Sequence, residues 1–400
     1  MVLSLLLAAL PWHAAASTSS VLPLVRMLPD DGEPAWLKGR ELRATYTGGV
    51  ALIYEHRCQP CHRPGEVAPM SFLTYNDIRK WVGRTNTPLE SLIQTRAMPP
   101  WPADPTVGHF SNAFALTARE MDVVLNWLKN GLPHGEGTYQ PSVQWVSGWS
   151  IDKPDHVFEL TGPSKVVDAQ RRIQEFTVAT SFPEDRWIGA SEIRTGDDAT
   201  IGRIDAGPLG SLHPGNAHSV YPAGTGRLLK KGEAVRVLVV HDMESAPNAA
   251  PIKIGIRWVG GISGRVREFR EDRMAASRFT IPAGAADHEV RASYAFDADG
   301  QVVSLMPIMN LRGKDVSYRA VFPDGSEKQL LSIPAWDPNW KYRYQLATPL
   351  RAPKGTVIQA VAHFDNSDAN IRNPDPTAAV PSESGVELFE GWVGYLLDSP

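Results

Sequence analysis

Beyond about residue 148 the sequence carries no sustained helical period. Short runs rich in β-branched and aromatic residues recur instead, at Arg172–Ala179, Ala234–His241, Ile252–Val259, Glu289–Phe296, Val316–Phe322, Tyr342–Leu346 and Val357–Phe364. Pro-Ala-Gly, Asp-Gly and Pro-Lys-Gly turns separate them. Strands of this length between frequent turns predict antiparallel sandwiches or barrels, not a parallel sheet with crossover helices. The stretch is long enough for two sandwiches, at residues 151–280 and 281–400, given roughly 100–150 residues for each.

The preceding residues read differently. Val50–Arg57, Thr74–Val82 and Pro88–Thr95 have the length and spacing of short helices, with Thr74 placed as an N-cap. Thr117-Ala-Arg-Glu120 is a capping box that opens a stronger helix, with Met121, Val124, Leu125 and Leu128 on one face. Gly131 and Pro133 close it. Residues 46–138 are therefore expected to form a small all-α unit, joined by a polar linker at 139–150 to the β half. At the N-terminus, the apolar run Val2–Leu10 followed by Ala14-Ala15-Ala16 reads as a signal peptide over 1–16, without the usual positive flank. A turn-rich leader follows at 17–45. The run falls short of the roughly 20 apolar residues a membrane span needs. The mature chain is thus expected to be periplasmic or extracellular and not membrane-spanning after signal cleavage.

Of 400 residues, 42% are hydrophobic and 21% charged, which excludes a disordered chain. Forty basic and 44 acidic residues leave a formal charge of −4, which argues against nucleic acid as a partner held by a broad basic surface.

The only two cysteines lie in Cys58-Gln-Pro-Cys61-His62. Two thiols at this spacing can form thioethers to the two vinyl groups of one haem, and the adjacent His then reaches the iron. Zinc would need further ligands, and there is no third Cys. A thioredoxin-like pair would need a βαβ context, and a disulfide between such close cysteines would be strained. One covalent c-type haem is the expected cofactor, with His62 axial. Met98, in the stiff Met98-Pro-Pro-Trp101 turn, is the expected sixth ligand, because Met70 follows His62 too closely to reach the opposite face. Pro99, Trp101 and Phe110 are expected to line the haem pocket.

The helical stretch, from His62-Arg-Pro-Gly-Glu66 through Met98-Pro-Pro-Trp101 to Gly131-Leu-Pro133, resembles the monohaem cytochrome c modules of exported bacterial proteins. In those proteins the module is fused to a region similar to the copper type II, ascorbate-dependent monooxygenases (peptidylglycine hydroxylase-like). The β half resembles that region in Trp149-Ser-Ile-Asp-Lys-Pro-Asp155, Glu192-Ile-Arg194, Asn310-Leu-Arg-Gly-Lys314, Trp336-Asp-Pro-Asn-Trp340, Phe364-Asp-Asn-Ser367 and Asn373-Pro-Asp-Pro376. The resemblance implies a multidomain fold: a small all-α cytochrome c domain followed by two antiparallel jelly-roll-like β-sandwiches that share a copper centre.

The copper ligands of that family are largely missing. The segment Thr195–Arg203 has no His pair, Ile308-Met-Asn310 stands in place of His-x-His, and Glu387-Leu-Phe389 stands where a late Met is expected. Only His241 matches a ligand position, as a candidate residual copper ligand. Copper is therefore not expected. His213, His218 and His241 could make a new site only if the fold brought them together. Asp365, Asn366 and Asp375 could bind calcium, but a turn network accounts for them better. The expected function is single-electron transfer by an exported c-type cytochrome, with the β half serving docking to a redox partner or a membrane-associated electron-transfer complex. That reading favours an electron carrier over an active monooxygenase. The alternative is a haem-fed copper monooxygenase working at a rearranged site.

Overall fold

The computed structural model describes residues 34, 36–82, 88–145, 148–161, 164–168, 172–195, 201–241, 251–260 and 265–398. The expected signal peptide, most of the leader, and 196–200 of the segment lacking the His pair lie outside the described residues.

Four short helices form between residues 50 and 129: α1 (Val50–Arg57), α2 (Tyr75–Val82), α3 (Leu89–Gln94) and α4 (Ala118–Lys129). Thr74 Oγ1 caps α2 by accepting from Asp77 N at 3.1 Å. The capping box of α4 is complete: Thr117 Oγ1 accepts from Glu120 N, and Glu120 Oε2 accepts from Thr117 N. Isolated helices of 6–12 residues are marginal. These gain their stability by packing Val50, Ile53, Tyr54, Ile78, Ile93, Val124 and Trp127 into a shared core.

The expected all-α cytochrome c domain is not formed as a distinct unit. Strand makes up 40% of the chain and helix only 12%. Between α3 and α4 the chain leaves the helical core and lies on the β half. Asp104 N donates to Ser332 O, Ser111 N donates to Gln345 O, and Phe110 makes a β-bridge to Leu346. Trp101, Phe110 and Phe114 bury their rings there, because no helix of this length presents enough apolar surface to cover them.

The β half also departs from two independent antiparallel sandwiches. One nine-stranded sheet runs through both, in the order His156–Leu160, Ile252–Trp258, Arg186–Arg194, Thr225–Leu229, Arg267–Arg273, Phe389–Leu397, Gly300–Met309 and Tyr344–Ala352, with His218–Val220 added beside Arg186–Arg194. The join is a short parallel pairing of Arg267–Arg273 with Thr225–Leu229. That pairing covers two edges that separate sandwiches would each leave open. A five-stranded sheet from Lys165–Asp168, Ile173–Ala179, Ala234–His241, Ile201–Asp205 and Ser211–Leu212 covers one end. A second five-stranded sheet covers the other, with Val357–Phe364 between His288–Ala295 and Gly313–Val321. Each end has its own core. Phe269, Val303 and Leu396, from strands past the join, belong to the first.

Candidate functional site

Cys58 ends α1, donating its N–H to Tyr54 O at 3.0 Å. The next turn folds tightly back, with Cys61 N and His62 N both donating to Cys58 O. Both cysteines are free and half-buried. Burial pushes the Cys58 thiol up to about 12 and the Cys61 thiol up to about 11. Neither is a thiolate at neutral pH, so neither suits a nucleophile or a thiolate metal ligand. His62 stacks on Phe72 with ring centroids 4.3 Å apart. Its Nδ1 is buried and makes no hydrogen bond, and burial lowers its basicity. A neutral imidazole with an orphaned nitrogen, two thiols within one turn and an apolar surround fit a covalently held haem. Those residues could supply two thioether positions and one nitrogen ligand to such a group.

Buried carboxylates hold this motif in place. Glu120, fully buried in α4, pairs with Arg57 of α1 at 2.9 Å, one residue before Cys58. Glu55 accepts from Tyr139 Oη at 2.7 Å, from Ser142 N at 3.0 Å and from Val143 N at 2.8 Å. Trp145 Nε1 donates to Gln59 Oε1 at 3.0 Å, and the Arg63 guanidinium lies 4.3 Å from the Trp145 ring centroid. The stretch expected as a linker is thus a strap fastened across the motif. Past it, Arg63 pairs with Glu66, Arg194 bridges Glu66 and Glu192, and Arg194 also donates to Gly65 O. Glu192 Oε2 accepts from Ser150 N at 2.5 Å. This network ties the His62–Glu66 turn to the Arg186–Arg194 strand.

Met98 follows α3, half-buried, with its N–H donating to Leu92 O at 3.0 Å and a cis peptide bond to Pro99. Pro99 is half-buried beside it. Trp101 stands in an aromatic group with Phe114 at 4.9 Å, Tyr344 at 5.0 Å, Tyr342 at 5.6 Å and Phe110 at 6.1 Å. Burial raises the Tyr342 hydroxyl, and the nearby Cys61 sulfur raises it further. Sequence patterning missed Tyr342 and Tyr344 as members; the run Trp340-Lys-Tyr-Arg-Tyr344 was the available signal.

His241 is buried at the end of its strand and shares a hydrogen bond between Nε2 and Gln174 Oε1 at 3.0 Å. His213 is buried and His218 is exposed on His218–Val220. Among the described residues these three histidines form no metal-ligating group. The one such group is Asp287, Asp315 and His363, with ligand atoms within 4.8 Å of one another. There Asp315 Oδ1 lies 2.7 Å from His363 Nδ1 and Asp287 is paired with Lys314 at 2.8 Å. Spacing along the chain does not reveal this group, because the acidic neighbours of His363 are 48 and 76 positions away and meet it through sheet register.

At Ile308-Met-Asn310, the segment expected to have lost a His-x-His, Ile308 and Met309 are core residues. Asn310 N donates to Glu387 Oε1 at 2.6 Å, and the Lys341 ammonium lies 3.4 Å from Asn310 Oδ1. Asp365 and Asn366 form a turn network: Asp365 Oδ1 accepts from Ser367 N and Oγ, and Asn366 Oδ1 accepts from Arg312 Nε at 2.7 Å. No helix among the described residues is long and apolar enough to cross a membrane.

No family model matches the chain, and no curated protein matches it. Among solved structures, a putative secreted protein from Eubacterium rectale is similar at 10% identity over 56% of this chain and 69% of that one, with a TM-score of 0.21. A223, a turret protein in Sulfolobus turreted icosahedral virus, is 9% identical over 57% of this chain and 98% of that one, with a TM-score of 0.15. An allantoicase is 9% identical over 48% and 78%, with a TM-score of 0.18. These TM-scores are too low to establish a common fold.

Proposed function

We propose that the chain is an exported c-type cytochrome that carries one covalent haem and transfers single electrons. The observation that carries this is the Cys58/Cys61/His62 turn, with two half-buried free thiols in one turn and a buried His62 Nδ1 that makes no hydrogen bond. Cys58 and Cys61 would hold the haem, and His62 and Met98 would supply the nitrogen and sulfur ligands to its iron. When bound, the haem supplies a one-electron couple, whose potential a Met sulfur raises. The chain's own residues orient and shield it. Phe72 fixes the plane of the His62 ring, the Glu55 strap and the Glu120–Arg57 pair fix the turn, and the Trp101 group keeps water from one side.

The β half is read as a copper-monooxygenase-like scaffold without catalytic copper, serving to dock a redox partner or a membrane-associated electron-transfer complex. The missing ligands support this, with Lys341 beside Asn310 and Gln174 paired to His241. A basic ammonium beside Asn310 disfavours a metal cation there.

The test is iron and copper content per chain, on protein exported by a host with haem-maturation machinery and offered copper. One iron and no copper is expected, with haem stain retained after denaturation and lost in Cys58→Ala/Cys61→Ala. Stoichiometric copper would overturn the scaffold reading, and absence of covalent haem would overturn the carrier reading. Met98→Ala is expected to shift the reduced visible spectrum and lower the potential. An unshifted spectrum would remove Met98 from the iron. A search of native membranes that finds no bound partner would count against the docking role.

A further inference from the structure

The described residues hold one group of three metal-ligating side chains with converging ligand atoms: Asp287, Asp315 and His363. None of the three stands where the resemblance places a copper ligand. The group is built across three adjacent strands of the second five-stranded sheet. Val357–Phe364 runs between His288–Ala295 and Gly313–Val321. Its His363 is paired in register with Glu289 on one side and with Asp315 on the other. Asp287 directly precedes the strand that carries Glu289. The imidazole on the middle strand is thus flanked by carboxylates from both neighbours, on a backbone fixed by two ladders of hydrogen bonds.

A local irregularity adds to this. The pairing of Gly313–Val321 with Val357–Phe364 shifts register between Gly313 and Asp315. In a regular strand Lys314 and Asp315 would point to opposite faces. Here both reach the group: Asp315 Oδ1 lies 2.7 Å from His363 Nδ1, and Lys314 Nζ lies 2.8 Å from Asp287 Oδ1. Position 313 takes no side chain, because a Cβ there would meet the Trp336 ring at 2.5 Å and Met309 Cβ at 3.0 Å.

The donor set selects a class of ion. One ring nitrogen of His363 and one oxygen each of Asp287 and Asp315 lie within 4.8 Å of one another. Ligand atoms around a tetrahedral ion held at about 2.0–2.1 Å stand roughly 3.3 Å apart, so small rotamer shifts close the site. Asp287 is exposed and the other two are half-buried, which leaves room for such shifts. The second ring nitrogen, Nε2, is 3.7 Å from Glu289 Oε2. When an ion takes Nδ1, that carboxylate favours the remaining proton on Nε2. One imidazole with two carboxylates suits a zinc-type ion, whereas calcium takes about six to eight oxygens and gains nothing from a nitrogen. Lys314 now balances Asp287, and Arg291 pairs with Glu289 at 2.7 Å. Asp287, Asp315 and Glu289, with Asp365 near Lys314, outnumber these two cations. The ammonium sits on a flexible, partly exposed stem and can turn to water when an ion displaces it.

We propose that Asp287, Asp315 and His363 bind one zinc-type divalent ion, through His363 Nδ1 and a carboxylate oxygen of each aspartate, with Lys314 as the cation it displaces. Three protein ligands leave at least one position on the ion open to water. This goes beyond the electron-carrier reading and does not depend on the haem. The test is calorimetric titration of Zn2+ into the full haem-loaded chain after treatment with a chelator. One saturable site is expected, with Ca2+ weaker by about tenfold or more. His363→Asn and Asp315→Asn are each expected to weaken Zn2+ by about tenfold or more. Lys314→Met, which removes the competing cation, is expected to tighten it about threefold, a gain that a folding defect cannot produce. Absence of a saturable Zn2+ site in the unaltered chain would overturn the proposal. So would unchanged binding by His363→Asn, Ca2+ bound as tightly as Zn2+, or no gain in Lys314→Met. Copper also prefers such nitrogen and oxygen donors. Any copper held here would be lost in His363→Asn and kept in His241→Asn, which separates this site from a failure of the scaffold reading.

Discussion

Glu120 does two things with one carboxylate. It closes the capping box of α4, neutralises Arg57, and does both with no exposure to solvent. Removing it leaves the guanidinium of Arg57, 9% exposed, without its charge partner. Breaking one side of a buried ion pair typically costs about 3–5 kcal/mol. Glu120→Ala is therefore expected to lower unfolding stability by roughly 3 kcal/mol or more, read from denaturant midpoints, whereas Glu90→Ala, whose Lys129 partner is exposed, should change little. His213 illustrates a second residue-level effect. Burial, with Arg203, Lys341 and Arg343 nearby, holds its pKa well below the ordinary value. The folded state therefore keeps it neutral while the unfolded chain protonates near 6.5. Its contribution is fully present above that pH and is lost as pH falls toward the folded value. The slope reaches about 1.4 kcal/mol per pH unit. Denaturation series from pH 7.5 to 5 should show this loss, and His213→Gln should flatten it. An equal slope in the variant would mean that other groups carry the acid sensitivity.

At the scale of elements, α1 is notable for how little of its stability is local. It has no side-chain N-cap, and its residues Val50–Glu55 are all buried. An eight-residue helix of this kind depends on its neighbours. The strap at 139–145 is one of them, and Glu55 holds it through two backbone N–H groups and the Tyr139 hydroxyl. Glu55→Ala would remove the one carboxylate that these part-buried donors share. It is expected to expose 139–145 to limited proteolysis and to destabilise the protein by about 2 kcal/mol. Cleavage kinetics equal to those of the unaltered chain would show that the strap is held otherwise, through Trp145 and Arg63.

Across the whole molecule, the continuous nine-stranded sheet decides how the parts respond to stress. The strands on both sides of the Arg267–Arg273 join share hydrogen bonds, and the buried Arg343–Glu271–Ser219 contacts cross the same seam. The two ends of the β half are therefore expected to unfold in one cooperative calorimetric transition. Two separable β transitions would contradict this. Arg343→Ala, by leaving Glu271 buried and unpaired, is expected to lower that transition and to broaden it.

Local chemistry was legible without the fold. The Thr117–Glu120 capping box and the strands at Ala234–His241 and Val357–Phe364 depend on neighbours in sequence, and periodicity and spacing record such neighbours directly. Others of the observed strands left a weaker trace. Gly300–Met309 is buried on both faces and so shows no alternation to read. The placement of the Trp101 group on Tyr342 and Tyr344 and the Asp287–Asp315–His363 cluster could not be read at all. Their members lie tens to hundreds of positions apart and meet only through register and sheet order. Nor could sequence show that the helical stretch would lend its aromatic loop to the β half. A chain's own residues determine which short segments curl or extend. Only burial of the remaining apolar surface, which is settled between distant segments, decides which of them share a core.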